Sequence, residues 1–408
     1  MNIITLVYTI MFFFGIYFLL FFILSYLKNR KELFDYPKPK KFPTISFLTA
    51  AYNEEASIAD TINALLKVKY PKGRKEIIII NDGSKDKTAS IIKKFVEKHK
   101  EIKLIDKKNS GKADSLNQGI KIAKGELIAV VDADSYPNED SLYKMVGYFE
   151  DEKVAAVTSR VLVKNKKNFL ERFQDVDYIT IAWGRKMMDF IGCVYVTNGP
   201  LSVYRKNVVQ KLGGFNTKNI TEDIELTWHI LSAGYKTKMS YSTEVYTTVP
   251  SSFKQWIKQR IRWNLGGLQT IYKYRKSFFK GKNLFGYFVI NYVSLAFFLA
   301  LIGLILLLRF IYLNSVLYLS LLPYIFSGYN PFAALNFYFP VTLLLIFGLI
   351  FLALSLIQYK ISLRGPDMKS KSILTILIFI FIYRSLYTIP FVITFYKILK
   401  GDISWYTK

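Results

Sequence analysis

The segment LIAVVDADS, residues 127–135, decides the fold of this chain. Its apolar first half is typical of a strand buried in a parallel sheet, and the strand pattern leads directly into Asp132 and Asp134. Because side chains alternate across a strand, we expect both carboxylates to project to the same side, with Ala133 pointing away. Ligands bind at the carboxyl ends of strands in open α/β sheets, and paired carboxylates suit Mg²⁺ or Mn²⁺. The alternative interpretation is an acidic turn that caps the following segment.

The apolar residues of the 408-residue chain are concentrated in four long runs. Each run is long enough to cross a hydrocarbon core, which needs about 20 residues. The predicted spans are 4–27, 284–308, 332–357 and 373–398. The first lacks a basic leader and a small-residue cleavage site, so we expect an anchor rather than a signal peptide. The predicted organisation is a transmembrane helix at 1–27, a globular domain at 28–250, amphipathic interfacial helices at 251–283 and three transmembrane helices within 284–408.

Lysine and arginine predict the orientation of these spans. Lys28, Arg30 and Lys31 follow the first run, and a basic segment at 273–282 precedes the second. The loop predicted after the second run carries only Arg309. The positive-inside rule therefore predicts an integral protein of the cell membrane, with the globular domain in the cytoplasm and both termini outside. The basic C-terminal tail argues mildly against an external C terminus.

The formal net charge of +26 indicates an anionic partner. No nucleic-acid-binding module is recognisable, so we expect no nucleic acid. Membrane lipids with anionic headgroups and a phosphate-rich substrate explain the charge better, although general lysine usage accounts for part of it. The single cysteine, Cys193, excludes an internal disulfide framework and a multi-cysteine metal site. With only His99 and His229 available as imidazole ligands, any metal must be bound by carboxylates.

Strand and helix patterns alternate through the first half of the globular segment. Strands are predicted at 45–50, 75–80 and 102–105, each followed by helical spacing of apolar residues. This rhythm favours βαβ units, a parallel sheet and a nucleotide site along its carboxyl edge. The second half is less regular. It has a strand pattern at 154–163 and a helical pattern at 169–188. A second helical pattern follows Thr221, which is a plausible N-cap. A third covers 253–274, where interleaved aromatic and basic residues suit a helix in the membrane interface.

Three charged residues occupy positions that suit chemistry. Asp82 ends a strand in a glycine turn, where it could bind a base or ribose or simply belong to an ordinary loop. Lys112 follows Gly111 at a helix start, where a cation and free N–H groups could hold diphosphate. A solvated lysine is the alternative. Asp223 lies in the first turn of its helix, where an acid either stabilises the dipole or acts as a general base.

The interfacial helix adds three further candidates. Arg262 could contact phosphate and Trp263 could stack on a sugar, with Gln259 one turn earlier. The alternative is a membrane-surface helix with a snorkelling arginine and a tryptophan anchor.

The order of the motifs AYNEE, NDGS, GK, DAD, TED and QRIRW resembles the membrane-embedded family 2 glycosyltransferases. These include the cellulose, chitin, hyaluronan and poly-N-acetylglucosamine synthases, and the resemblance covers about residues 44–269. It implies an α/β GT-A domain with a mostly parallel sheet, joined to an α-helical transmembrane region. It also implies a nucleotide-sugar donor and inversion at the anomeric carbon.

The resemblance implies a role for each matching residue. Those expected to bind the nucleotide sugar are Tyr52, Glu54, Asp82, Lys112, Asp132, Gln259 and Arg262. Those expected to bind the acceptor are Asn198, Gly199, Pro200, Glu222 and Trp263. Asp223 is similar to the catalytic base, and Asp134 to the ligand of Mg²⁺ or Mn²⁺.

Three functions are consistent with these motifs. The first is a processive synthase that transfers a hexose or N-acetylhexosamine from a UDP-sugar to a polysaccharide and extrudes it. The second is a single addition to a lipid or polyprenyl-linked acceptor, with the spans as an anchor. The third is a membrane nucleotide-binding protein without activity. QRIRW favours the first, and the intact acidic motifs argue against the third. Four spans are few for a polymer synthase, so a complete channel would need an oligomer or an accessory subunit.

Overall fold

The structure is a computed structural model that describes residues 3–281, 283–328, 342–364 and 372–401. The chain divides into two compact units. The helical unit comprises Met1–Ile23 and Asn291–Gln358, and the sheet unit comprises Leu24–Ile290 and Tyr359–Lys408.

The sheet unit contains one sheet of eight strands. The strands are β1 Ile45–Ala51, β2 Lys75–Asp82, β3 Ile102–Lys107, β4 Leu127–Val130, β5 Ser135–Pro137, β6 Val154–Val163, β7 Ser202–Arg205 and β8 Lys236–Thr247. Their order across the sheet is β3-β2-β1-β4-β7-β6-β8-β5. The α-helices among the described residues are α1 Ile3–Asn29, α2 Ile58–Lys67, α3 Thr88–Lys98, α4 Lys112–Ile122, α5 Tyr143–Val146, α6 Phe169–Phe190, α7 Lys206–Lys211, α8 Glu222–Ser232, α9 Phe253–Tyr274, α10 Ile290–Phe326, α11 Leu343–Ser362, α12 Ile373–Ile378, α13 Arg384–Leu386 and α14 Thr388–Leu399.

The first half of the sheet is parallel, as predicted. Strand β1 pairs in parallel with β2 and β4, and β2 pairs in parallel with β3. Alternate residues face opposite sides: Phe47 packs in one apolar core and Leu48 in another, and both are fully buried. A strand buried on both faces is apolar throughout, which is why these segments are continuous hydrophobic runs. Helices α2, α3 and α4 alternate with the strands and confirm the predicted βαβ organisation.

The second half of the sheet mixes directions. Strand β7 is antiparallel to both β4 and β6, β8 is parallel to β6, and the short β5 is antiparallel to β8. The sequence patterns did not predict β5 or β8. The reason in β8 is its polar composition: Thr237 and Ser240 are fully buried and donate hydrogen bonds to backbone carbonyls of other segments.

The two aspartates of DAD lie in a turn, not in a strand. Strand β4 ends at Val130, and the Ser135 N–H donates a 3.1 Å hydrogen bond to the Asp132 carbonyl. The predicted strand therefore ends before the two aspartates, because this backbone bond closes a turn between β4 and β5. The expected alternation of exposure is nevertheless present: Asp132 and Asp134 are half-buried, and Ala133 between them is buried. Both residues nevertheless follow the carboxyl end of β4, where the sequence placed them.

Three predicted helices are present with recognisable starts. Asn168 and Glu171 form a capping box at the start of α6. Helix α9 spans Phe253–Tyr274, the predicted range. Thr221 occupies the N-cap position of α8 as predicted, but its hydroxyl lies 3.3 Å from Asn219 Oδ1 and makes no capping bond to the helix.

The helical unit is built from α1, α10 and α11. Edge-to-face contacts join Phe12 of α1 to Phe351 of α11, with ring centroids 6.1 Å apart, and Phe18 to Tyr292 of α10, 5.0 Å apart. Gly15 allows the close approach of α11, because a Cβ there would lie 2.8 Å from the Phe351 ring. Small residues at such crossings are typical of packed membrane helices.

In the part of the chain that the structure describes, four helical segments are long and apolar enough to cross a membrane, which agrees with the four predicted runs. They are Ile3–Glu32, Phe285–Phe326, Leu343–Ser362 and Ile373–Leu399. The second continues well past its predicted end at 308, so Arg309 lies inside α10 rather than in a loop. The apolar sequence simply continues, and Pro323 does not interrupt the helix. Lys282, residues 332–341 of the third predicted run and the tail after Gly401 lie outside the described residues.

Candidate active site

Lys112, the first residue of α4, connects two of the predicted acidic residues. Its Nζ lies 2.6 Å from Asp132 Oδ1 and 2.8 Å from Glu222 Oε1. Gly111 precedes it with φ 93°, a left-handed conformation that favours glycine. One ammonium group thus joins the start of α4, the turn after β4 and the start of α8, at the edge of the sheet where ligands are expected.

The charges around Lys112 shift the acid–base properties of the cluster. Burial lowers the pKa of the Lys112 ammonium, but Asp132, Glu222 and Asp223 outweigh it, so the pKa lies above its ordinary value. Burial raises the pKa of Glu222, but Lys112 outweighs it and the pKa lies below its ordinary value. Burial and the charge of Glu222 raise the pKa of Asp223 to about 6, against the opposing effect of Lys112. Asp223 can therefore gain and lose a proton near neutral pH, as a general base requires.

Asp223 is held by the first turn of α8. Its Oδ1 accepts a 2.8 Å hydrogen bond from the Ile224 N–H, and its side chain is half-buried. The neighbouring helix α9 fixes this turn: the Ile220 N–H donates to Gln269 Oε1 at 3.1 Å. Gly266 of α9 lies against Thr221, and any Cβ there would clash with the threonine side chain. The helix that carries QRIRW is thus packed directly against the TED turn.

The turn at residues 198–200 borders the same cluster. A Cβ on Gly199 would lie 2.5 Å and 2.8 Å from the two carboxylate oxygens of Asp132, so only a glycine lets the backbone approach this closely. Asn198 is buried and donates from Nδ2 to the Ser159 carbonyl at 3.1 Å. No described residue donates a hydrogen bond to its buried Oδ1. Pro200 is half-buried in the turn.

Asp82 lies beside the cluster but is engaged by its own chain. Its two carboxylate oxygens accept hydrogen bonds from the N–H groups of Ser110 and Gly111, each 2.9 Å long, and it forms an ion pair with Lys107. The side chain is buried. Asp82 therefore holds the loop that leads into Lys112, while its predicted contact with a nucleoside stays a prediction.

Tyr52 and Glu54 belong to a loop that is tied to the NDGS segment. The Asn53 N–H donates to Ser84 Oγ at 3.0 Å, and the Glu54 N–H donates to Thr88 Oγ1 at 2.8 Å. Tyr52 follows β1 directly and is half-buried. The first two motifs thus form one surface at neighbouring strand ends, as expected of a nucleotide site.

Asp134 lies in a hydroxyl environment. Its Oδ1 is 3.2 Å from Ser135 Oγ and 3.5 Å from Thr247 Oγ1, and the side chain is half-buried. Within the described part of the chain, no three His, Cys, Asp or Glu side chains group together as a metal site. A hard carboxylate ligand fits Mg²⁺ or Mn²⁺, and water together with the phosphate oxygens of a substrate are the usual further ligands of such an ion.

The QRIRW residues face both the cluster and the interior. The charge of Arg262 acts on Asp223 and lowers its pKa slightly against the larger effects of burial and Glu222. Gln259 is half-buried, and nothing in the described chain donates to its shielded Oε1. Trp263 packs on the Arg260 guanidinium, whose central carbon lies 3.9 Å from a ring centroid of the indole. Because this contact uses one indole face, stacking of a sugar on Trp263 stays a prediction.

Sequence reasoning missed Arg185 and Arg260. Arg185 of α6 lies within electrostatic reach of Asp223, and a lone arginine in a helix gave no signal. Arg260 is 1% exposed, and its Nη2 lies 3.1 Å from Asp177 Oδ2. Its spacing of four residues from the buried Trp256 could have placed it on the inner face of α9.

A lysine–carboxylate network and a carboxyl with a pKa near 6 at the strand ends of an α/β sheet are typical of a ligand site with a candidate general base. The comparisons specify the class of protein. The family model described as Glycosyltransferase like family 2 matches residues 43–266. The chain belongs to this family and is a glycosyltransferase.

Two relatives support the family assignment, and they match different shares of this chain. The chain is 29% identical to "Probable glycosyltransferase YdaM" of Bacillus subtilis (strain 168), over 90% of this chain and 87% of the relative. It is 37% identical to the poly-beta-1,6-N-acetyl-D-glucosamine synthase of Staphylococcus aureus (strain COL), over 56% of this chain and about half, 55%, of that synthase.

A solved structure supports the fold. The mannosyltransferase PcManGT from Pyrobaculum calidifontis, in complex with GDP-Man and Mn²⁺, superposes with a TM-score of 0.59 at 21% identity. The match covers 84% of this chain and 94% of that one. The expected GT-A fold with added apolar helices is confirmed.

Proposed function

We propose that this glycosyltransferase moves a hexose or N-acetylhexosamine from a nucleotide-diphosphate sugar, a UDP-sugar, to the end of a growing polysaccharide. Transfer inverts the anomeric carbon and is coupled to passage of the product through the membrane. The observation that carries the proposal is Asp223, with a pKa of about 6, beside the Lys112 ion-pair cluster. A base of this strength suits removal of a hydroxyl proton at the moment of attack.

The residues divide the reaction between base and charge stabilisation. Asp223 accepts the proton of the acceptor hydroxyl while that oxygen bonds to the anomeric carbon, and the bond from that carbon to the diphosphate breaks. Such a base typically contributes about 10²–10⁴-fold. The diphosphate leaves with both electrons of the broken bond. Lys112 stays protonated because its pKa is raised, and together with Arg262 it would balance the charge of the diphosphate.

The donor site includes a divalent ion in this proposal. Asp134 would hold Mg²⁺ or Mn²⁺ with phosphate oxygens of the donor completing the ligands. When bound, the ion supplies further charge neutralisation on the leaving diphosphate. The PcManGT complex, which contains Mn²⁺ and GDP-Man, is consistent with this part of the proposal. Tyr52, Glu54 and Asp82 border the nucleoside, and Asp132 contacts the donor through its position beside Lys112.

Two unpaired oxygens favour a sugar as the acceptor. Asn198 Oδ1 and Gln259 Oε1 are buried acceptors without a donor in the described chain. An unpaired buried polar group costs about 1–3 kcal/mol, and sugar hydroxyls are suitable donors. In the proposal these oxygens, with Glu222 and the turn at Gly199 and Pro200, contact the acceptor end, and Trp263 contributes its remaining indole face.

The architecture is proposed as follows. Residues 1–27 form a membrane helix, 28–250 a cytoplasmic catalytic domain, 251–283 interfacial helices and 284–408 a membrane region. The likeness to the Staphylococcus aureus synthase favours a polymer product, but it spans about half of that synthase. An oligomer or an accessory subunit would complete the channel.

The test is transfer by the purified protein in lipid vesicles with Mg²⁺ or Mn²⁺ and a panel of radiolabelled nucleotide sugars. A long polymer from one donor supports the proposal and identifies the sugar. Label confined to a short, lipid-extractable product would replace it with single addition to a lipid acceptor. Asp223→Asn is the matched control: it should keep donor binding and lose transfer, and retained turnover would remove Asp223 as the base.

A further inference from the structure

The last apolar segment, Ile373–Leu399, runs alongside α9 within the sheet unit. Three pairs of side chains mark the contact: Trp256 with Tyr383, Arg260 with Tyr387, and Asn264 with Thr394. The first is a 3.0 Å hydrogen bond from the indole N–H to the tyrosine hydroxyl, and the last is a 3.5 Å hydrogen bond. Along the segment these contacts extend over about 16 Å at 1.5 Å per residue, so the two helices lie side by side.

A buried carboxylate attaches the middle of this segment to the sheet unit. Asp177 of α6 is 1% exposed. Its Oδ2 lies 3.1 Å from Arg260 Nη2, and its Oδ1 lies 3.6 Å from Arg384 Nη1. The Tyr387 hydroxyl donates to the same carboxylate. The attachment is therefore polar and central, not a contact between helix ends.

Helix α9 is too polar to lie in hydrocarbon. Its basic residues are Lys254, Lys258, Arg260, Arg262 and Lys273. Each charged side chain is costly at the centre of a bilayer. A neighbour that lies along α9 shares its depth, and Arg384 would otherwise occupy the middle of a membrane span. The polar contacts therefore outweigh the length and apolar composition of Ile373–Leu399, which taken alone favour a span.

We infer that Ile373–Leu399 lies along the membrane surface, docked on α9, and that its outer face binds the lipid bilayer. That face is exposed and apolar: Phe381, Ile382, Ile389 and Val392 are 60%, 54%, 38% and 42% exposed. In this position the apolar side chains are buried in the acyl region, while the charged side chains of α9 stay in the headgroup region.

A neighbouring cavity and charges fit the same partner. A cavity of about 380 Å³ lies between α6, the start of α9 and the segment, and its lining includes Phe169, Phe173, Phe253, Ile382 and Leu386. Its apolar lining suits an acyl chain. The exposed side chains of Lys254, Lys258 and Lys400 flank the segment and can attract anionic headgroups.

The inference changes the predicted topology. With the last segment on the surface, three crossings remain, at α1, α10 and α11. The C terminus then lies on the same side of the membrane as the sheet unit. This accounts for the basic tail, which argued against an external C terminus under the positive-inside rule.

Cysteine labelling of the full chain in sealed, oriented vesicles tests the topology independently of the proposed function. The native Cys193 is buried, so the unchanged protein is the blank. Single cysteines replace Lys94 on the sheet unit, Ser327 at the end of α10, and Lys400, all of which are exposed. An impermeant maleimide should label Lys400→Cys from the same side as Lys94→Cys and from the opposite side to Ser327→Cys. Labelling of Lys400→Cys together with Ser327→Cys would overturn the inference.

Depth measurement tests the lipid contact. Fluorophores on Phe381→Cys and Tyr396→Cys would be quenched by phospholipids brominated at different acyl positions. A surface segment places both fluorophores at similar, shallow depth and both are quenched. A spanning segment separates them by about 22 Å along the membrane normal, since 15 residues rise 1.5 Å each. Unequal depths of that size, or no quenching at either position, would contradict the inference.

Discussion

Asp223→Asn should stabilise the folded protein while it abolishes transfer. Folding raises the pKa of Asp223 from the ordinary 3.8 to about 6, mainly through burial and the charge of Glu222. A carboxyl group with a raised pKa costs stability when it is ionised in the folded state. The cost is complete above about pH 6 and fades as the pH falls towards 3.8. An amide of the same shape carries no charge and avoids it.

The magnitude follows from the pKa displacement. At 1.36 kcal/mol per pKa unit, a displacement from 3.8 to about 6 corresponds to at most about 3 kcal/mol at neutral pH. For a domain of 150–250 residues, about 1 kcal/mol shifts Tm by about 2–4 °C, so the expected gain is several degrees. The side-chain oxygen of the introduced asparagine can still accept the Ile224 N–H, so that donor is not left unpaired by the change.

Thermal unfolding in detergent, followed by tryptophan fluorescence, measures the effect. The Tm of Asp223→Asn should exceed that of the unchanged protein at pH 8, and the difference should shrink at pH 4.5. Glu152→Gln, which removes an exposed acid, is the matched control and should change Tm little at either pH. A lower Tm for Asp223→Asn at pH 8, or a gain of equal size at both pH values, would refute the reasoning.

Three further substitutions test the site. Glu222→Gln removes a charge that raises the pKa of Asp223, so the acidic limb of the pH–rate profile should move below about pH 6; a limb that stays fixed or moves upward contradicts the assignment. Gly199→Ala places a Cβ 2.5 Å from a carboxylate oxygen of Asp132 and should lower kcat/KM about 10–100-fold. The control is Gly184→Ala, where a Cβ meets no atom within 4 Å and kcat/KM should not change. Trp263→Ala should raise the acceptor KM more than the donor Kd in transfer and nucleotide-binding assays; weakening of donor binding alone would show that the stacking assignment is wrong.

Local periodicity predicted much of the fold. The patterns that predicted β1, β2, β4 and α9 each depend only on residues close together in the sequence. The structure has these elements where the patterns indicate. Strand β8 was missed because the burial of its polar residues depends on partners such as Val194, which accepts a 2.6 Å hydrogen bond from the Thr237 hydroxyl. No local pattern encodes a partner so distant in the chain.

In the candidate site, too, local residue types were predicted and contacts between distant segments were not. Motif order indicated Lys112, Asp132 and Glu222 as site residues, and the structure joins them through one ammonium group. The turn that holds Asp132 was not predicted, because it depends on a hydrogen bond after the strand ends. Residue types at a strand end predict the chemistry of a site, whereas the orientation of each carboxylate depends on the segments that fold against it.

The last apolar segment shows what composition alone leaves out of a predicted membrane span. Hydropathy sums the transfer of each side chain into lipid and takes no account of partners. The partner of Tyr387 is Asp177, 210 residues earlier in the chain, and the same carboxylate holds Arg260 of the QRIRW helix. We infer that a segment attached to the charged helix α9 lies at the depth of α9 and not at the depth that its own composition favours. In this inference the Asp177 contacts that hold α9 also determine where the segment lies in the membrane.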